Sequence, residues 1–173
     1  MKKWLLAIIP VLFALFVEAQ QDTAYPYKRF PTVPPISLLQ ADSSLLTKDK
    51  LKKAPVLLMY FSPSCDHCQH QVSEMLARMD DFKQVQFVLA TYQPFEEMTA
   101  FIKEYKLEEH NNIKVGRDTK FTLPPFFHIQ SLPFLALYDK KGSLITTFQG
   151  NVGIDTLLKA FQKEPLPQPT KGR

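Results

Sequence analysis

The sequence predicts an α/β fold built on a central mixed β-sheet flanked by helices, and three observations carry that expectation. The apolar run Val56–Tyr60 passes through Ser62-Pro63-Ser64 into an amphipathic stripe at Val72, Met75, Leu76 and Met79, so a strand leads into a helix. The alternation repeats: Val85–Ala90 reads as a strand, and Phe95, Met98, Phe101, Ile102 and Tyr105 mark a second helix opened by Pro94. Finally, Phe134–Tyr138 and Leu144–Phe148 flank Asp139-Lys140-Lys141-Gly142 and read as a hairpin. Strands joined through helices pair in parallel and a hairpin pairs antiparallel, so the sheet is mixed.

The remaining elements are shorter. Gln20 to Pro35 carries Pro26, Pro31, Pro34 and Pro35 and reads as an extended lead-in with no helix of its own. Ile36–Leu39 is expected as a short edge strand, and Thr47–Lys53 as a polar turn or loop. Asn111-Asn112 breaks the chain before a small strand at Ile113–Val115. Phe121–Ile129 holds Pro124-Pro125, which leaves room for a short helix after the prolines. Beyond Gly150, the residues Ile154, Leu157, Leu158 and Phe161 mark a last helix. The sequence shows no internal repeat. The domain reading is 1–19 signal peptide, 20–35 lead-in, 36–163 α/β domain and 164–173 disordered tail.

At 173 residues the chain is one domain plus extensions, and 45% hydrophobic residues with 14 Phe exclude a disordered chain. Net charge is +4, with no run of five Lys or Arg, so the footprint of a nucleic-acid binder is missing. Lys2 and Lys3 precede an apolar run, Trp4–Val17, that ends in Glu18-Ala19. A basic start, a short apolar stretch and a small terminal residue match a secretory signal, while a spanning helix needs about 20 residues. The expected location is therefore extracytoplasmic, where disulfides persist. Membrane association follows only if the segment stays uncleaved.

Both cysteines of the chain sit in Ser64-Cys65-Asp66-His67-Cys68, at the start of the first helix. Unpaired N–H groups and the helix dipole favour an anion there, which favours the reactive thiolate form of Cys65. Cys68, three residues on, is within reach for a disulfide. As a structural staple so short a ring contributes only about 2 kcal/mol, against nearly 5 for a loop of about 100 residues, so a redox pair is the leading reading. A cationic His67 would stabilise the Cys65 thiolate, and Asp66 works against it. Metal binding is the competing class, with His67, His70 or His128 joining the cysteines; a structural zinc site wants four ligands, and no second cysteine pair exists. Phe126, Phe127, Phe134 and Tyr60 are expected mostly in the core, as aromatics at strand and helix positions usually are, with an apolar docking surface around the site as the alternative.

From about Ile36 to Phe161 this order resembles the thioredoxin fold. Leu132-Pro133 stands directly before the hairpin strand, where the family carries a cis-proline facing the cysteines, and Gly142 and Gly150 fall where the family has them. Phe95–Val115 is similar to the helix–strand insertion of extracytoplasmic TlpA-like (redoxin-type) proteins, and Tyr60–Cys68 is close to their site sequence. The resemblance implies an exported thiol–disulfide oxidoreductase, a reductase in preference to an oxidase, that needs no cofactor beyond the Cys65–Cys68 disulfide. Cys65 would attack, Cys68 would resolve, Pro133 would shape the substrate groove and keep metal from the thiols, and Ser64 and Leu132 would line that groove. Protein disulfides or dithiols would be its substrates and an upstream electron donor or acceptor its partner. His67 between the cysteines resembles the oxidising members, so the expected potential lies between about −270 mV and about −120 mV. The alternatives are a metal-delivery module similar to Sco-type chaperones, which use a wider cysteine spacing, and a thiol peroxidase with Ser62 in place of a threonine. Two departures stand out: Ser64 replaces a common tryptophan, and Met59 occupies the buried position of an acid that assists the second cysteine.

Overall fold

The structure, a computed structural model, describes residues 25–167. The signal-peptide reading of residues 1–19 lies outside them, as does the end of the tail. In chain order the strands are β1 (Ser37–Leu39), β2 (Leu45–Thr47), β3 (Val56–Tyr60), β4 (Gln86–Thr91), β5 (Ile113–Arg117), β6 (Phe134–Tyr138) and β7 (Leu144–Gln149). The helices are α1 (Pro26–Arg29), α2 (Asp66–Ala77), α3 (Phe95–Glu104), α4 (Leu123–Phe127) and α5 (Ile154–Ala160). The strands form one sheet in the order β2-β1-β5-β4-β3-β6-β7. Strand β3 pairs in parallel with β4 and antiparallel with β6, and β4 pairs in parallel with β5, so the sheet is mixed as the sequence predicts.

All five residues of β3 are buried, because both faces of the sheet are covered. Alternation along the strand divides them between two cores. Leu57, Met59 and Phe61 face a cluster with Val72 and Met75 of α2, Phe101 of α3 and Leu157 of α5. Val56, Leu58 and Tyr60 face a second cluster with Leu38, Leu46, Phe127 and Tyr138.

Three expectations need correction. The lead-in does carry a helix: α1 is a single turn with Pro26 at its start, closed by the Phe30 N–H donating to Pro26 O at 2.8 Å. It is held by tertiary contact, since Tyr27 lies 5.9 Å from Phe127 and Tyr25 stacks on His128 at 4.2 Å. Strand β1 is not an edge, because β2, whose Leu45 and Leu46 carry no element predicted from the sequence, pairs outside it, Leu38 opposite Leu46. Three residues are too few to show a period, and their stability comes from the ladder. On its other side β1 passes so close to β5 that a Cβ on Gly116 would lie 2.7 Å from Leu38 Cβ. In α4 the prolines stand within the first turn, where a missing N–H costs nothing, so the helix includes them. The tail begins in contact with the fold, with the Leu166 N–H donating to Leu144 O at 2.7 Å.

Candidate active site

The cysteine turn grows directly out of β3. The Phe61 N–H donates to Ala90 O at 2.9 Å, which extends the strand by one pairing, and the Cys65 N–H then closes a turn onto Ser62 O at 3.2 Å. Cys65 is the N-cap of α2, with extended backbone, and its Sγ accepts the Cys68 N–H at 3.3 Å. A sulfur thus does what a serine or aspartate oxygen does at an ordinary cap, meeting one of the helix's unpaired donors. The two cysteines differ in access: Cys65 is half-buried and Cys68 is 0% exposed, and both are free thiols. Burial pushes the Cys68 thiol far above the ordinary range, and a hydrogen bond with the Cys65 sulfur adds to the shift. A backbone hydrogen bond at Ser62 acts the other way. No carboxylate is among the groups acting on it. Met59, fully buried, shares its core.

Helix α2 is locked to the segment that precedes α5. The fully buried Gln71 donates from Nε2 to Val152 O at 3.0 Å and accepts the Val152 N–H at 2.7 Å. Next to it, Asn151 Nδ2 donates to His67 O at 2.7 Å. Gly150, in the left-handed conformation at φ +82°, donates its N–H to Pro133 O at 2.8 Å. A chain of hydrogen bonds therefore links the cysteine helix through residues 150–152 to Pro133. Sequence reading missed Gln71; the available signal was an amide standing beside Val72 on the inward stripe of an otherwise amphipathic helix.

Pro133 is buried and follows a cis peptide bond. Tyr60 pairs with Phe134, so the start of β6 and the end of β3 share one end of the sheet. Leu132 is half-buried and packs on the same cluster as Cys65. Ser64, Asp66 and His67 are exposed. His128, considered as a ligand beside the cysteines, lies exposed on α4's C-terminal side, with Nε2 2.9 Å from Gln130 Nε2. His70 pairs with Glu74 at 3.5 Å. Among the described residues no three His, Cys, Asp or Glu side chains gather into a metal-binding group. The aromatics near the site are mostly core, as expected: Tyr60, Phe127 and Phe134 are each no more than 1% exposed, and Phe126 is half-buried. The aromatics that reach solvent near this end are Tyr92 and Phe121, 43% and 51% exposed.

An accessible sulfur at a helix N-terminus, with a second, shielded sulfur one turn on, is suited to thiol–disulfide exchange: the outer atom meets a partner and the inner one displaces it. The thioredoxin-like domain family matches residues 45–164 of the chain. The thioredoxin-like protein SkfH of Bacillus subtilis is 28% identical over 108 residues, 60% of this chain and 74% of that protein. Among solved structures, StoA from Bacillus subtilis superposes with a TM-score of 0.59 at 20% identity, covering 75% of this chain and 98% of StoA. A secreted Mycobacterium tuberculosis disulfide oxidoreductase homologous to E. coli DsbE gives 0.62 at 16% identity, covering 74% and 95%. The chain belongs to the thioredoxin-like domain family.

Proposed function

We propose that the chain is an exported reductase that passes two electrons from the Cys65/Cys68 dithiol to disulfides of partner proteins. The observation that carries this reading is the asymmetry of the pair, with Cys65 reachable at the helix cap and Cys68 buried behind it, its N–H on the Cys65 sulfur. In the first step the Cys65 thiolate attacks one sulfur of the substrate disulfide; that S–S bond breaks, a mixed disulfide forms, and the departing thiolate takes a proton. In the second, Cys68 loses its proton and attacks Cys65 Sγ. The mixed disulfide breaks, Cys65–Cys68 forms, and the second substrate thiol leaves. The substrate gains two electrons and two protons and the protein loses them, so an upstream donor must reduce the pair again. No cofactor takes part.

Deprotonation of Cys68 is the slow point of this scheme, since burial holds its proton and Met59 supplies no base. Water reaching the opened mixed disulfide is the acceptor we assign. Pro133 borders the substrate groove, with Ser64 and Leu132 as its walls. The reductive direction is the one implied by the likeness of Tyr60–Cys68 to the site sequence of TlpA-like proteins. Export rests on the Lys2–Ala19 pattern; no helix among the described residues is long and apolar enough to cross a membrane.

The test is the equilibrium reduction potential of the pair in glutathione or dithiothreitol buffers, read by alkylation and mass. A reversible two-electron couple below about −220 mV is expected; a value near −150 mV or above would make the chain an oxidase, and no couple would end the enzyme reading. Cys68→Ser should accumulate mixed disulfides with partners that Cys65→Ser does not form.

A further inference from the structure

A groove of about 300 Å³ opens beside the cysteine end of the sheet, lined by Tyr60, Tyr92, Phe121, Pro124, Ile129 and Leu132 together with the uncharged polar residues Gln130 and Ser131. It rests on the disulfide-exchange reading above, because Leu132 belongs both to this groove and to the wall assigned to the substrate site. Its size is at the low end of the roughly 300–1,000 Å³ of small-molecule sites, which suits one large side chain. No charged residue lines it. The aromatic rings are arranged in sequence, Tyr60 against Tyr92 at 6.4 Å and Tyr92 edge-on to Phe121 at 5.3 Å.

One feature of the groove points to a ligand. Phe121 holds the left-handed conformation at φ +51° with about half its surface in solvent, so a bulky side chain is kept in a strained position where the fold gains little from it. Tyr60 is 1% exposed, and its hydroxyl is shielded from solvent beside Asp118, whose oxygens accept the Thr122 and Leu123 N–H groups at 3.1 and 2.9 Å, so only its ring is offered to the groove. The platform is also built in advance. Arg117 Nε donates to Gln93 O at 2.7 Å, the Gln93 N–H donates to Thr91 Oγ1 at 3.2 Å, and the Asp118 N–H donates to Thr91 O at 2.7 Å. Tyr92 and Phe121 are thus held as exposed rings on ordered backbone.

We propose that this groove is a specificity subsite that takes a large apolar side chain, aromatic above all, lying next to the cysteine of an extended protein substrate. Leu132 is what the groove shares with the wall assigned to the substrate site, so a residue flanking the attacked cysteine enters the groove while its sulfur meets Cys65. The uncharged lining selects against an acidic or basic residue at that place, because a charge would be desolvated without a partner.

The experiment uses the reduced protein and short peptides in which a cysteine, flanked on either side by Phe, Leu, Ala or Asp, is disulfide-linked to a fluorescent thiol. Single-turnover rate constants are read from release of the fluorophore. The Phe peptide should react about tenfold or more faster than the Ala peptide, and the Asp peptide slowest. In Tyr92→Ala and in Phe121→Asn, a residue that tolerates the left-handed conformation, the Phe/Ala ratio should fall close to one. Equal rates for all peptides in the unaltered protein, or a ratio that both variants preserve, would overturn the subsite while leaving disulfide exchange standing. Failure to release fluorophore from any peptide would overturn both.

Discussion

On one face of β3, Leu57, Met59 and Phe61 lead to the cysteine helix; on the other, Val56, Leu58 and Tyr60 lead to the aromatic groove. The first face is sealed. Cys68 and Met59 are fully buried there, and the polar contacts are a closed pair between Gln71 and Val152. The second face is open at its end, where Tyr60 passes its ring on to exposed Tyr92 and Phe121. One strand, by alternating its side chains, backs the buried resolving sulfur of Cys68 on one face and carries Tyr60, which lines the groove, on the other. The two faces meet at Leu132, which packs against both clusters.

Breaking the sealed face should have the larger consequence for stability. Met59→Ala leaves a cavity under Cys68 and should cost about 2–5 kcal/mol in denaturant unfolding while keeping the peptide selectivity of the groove. An equal loss of selectivity would mean that the two faces are coupled.

The sealed face also sets an alkaline limit. In the reduced protein the unfolded chain releases the Cys68 proton from about pH 8.5, whereas the buried thiol keeps it, so stability falls as pH rises, by about 1.4 kcal/mol per pH unit. Burial raises Tyr60 and Tyr138 as well, and they should steepen the fall from about pH 10. Unfolding measured across pH 7–11 should show both onsets, and Cys68→Ala should delete the first alone.

On the open face, Tyr60→Phe removes a buried hydroxyl that has no ordinary hydrogen bond, so stability should hold or rise by about 1 kcal/mol. A clear loss would reveal a partner for that hydroxyl. The smallest change is expected at the exposed rim of the site: His67→Ala should make the potential more reducing by about 30 mV or less, through loss of a solvent-screened charge beside Cys65. An unchanged or less negative potential would count against the imidazole's influence on the thiolate.

Much of this molecule is written in short stretches of sequence. Strand β6 and helices α2, α3 and α5 lie where the apolar periods of Phe134–Tyr138, Val72–Met79, Phe95–Tyr105 and Ile154–Phe161 put them, within a few residues at their ends. The strand–turn–helix that carries Cys65 and Cys68 is legible because every constraint on it is local: an apolar run, a Ser-Pro-Ser turn and a two-residue spacing. The turn of helix at Pro26–Arg29 and the strand Leu45–Thr47 were not legible, because neither is long enough to have a period and both exist by contact with distant residues.

The sequence alone thus determined that a thiol pair opens a helix at the end of a central strand in an α/β sheet, since backbone preferences and side-chain periods act over a few residues. Only the tertiary structure decided that Cys65 is reachable and Cys68 is not, that Gln71 ties the cysteine helix to Val152 across 81 residues, and that Tyr60, Tyr92 and Phe121 meet in one groove. Burial and partnership depend on which remote segments a fold brings together, and the spacing of residues along a chain carries no direct record of that.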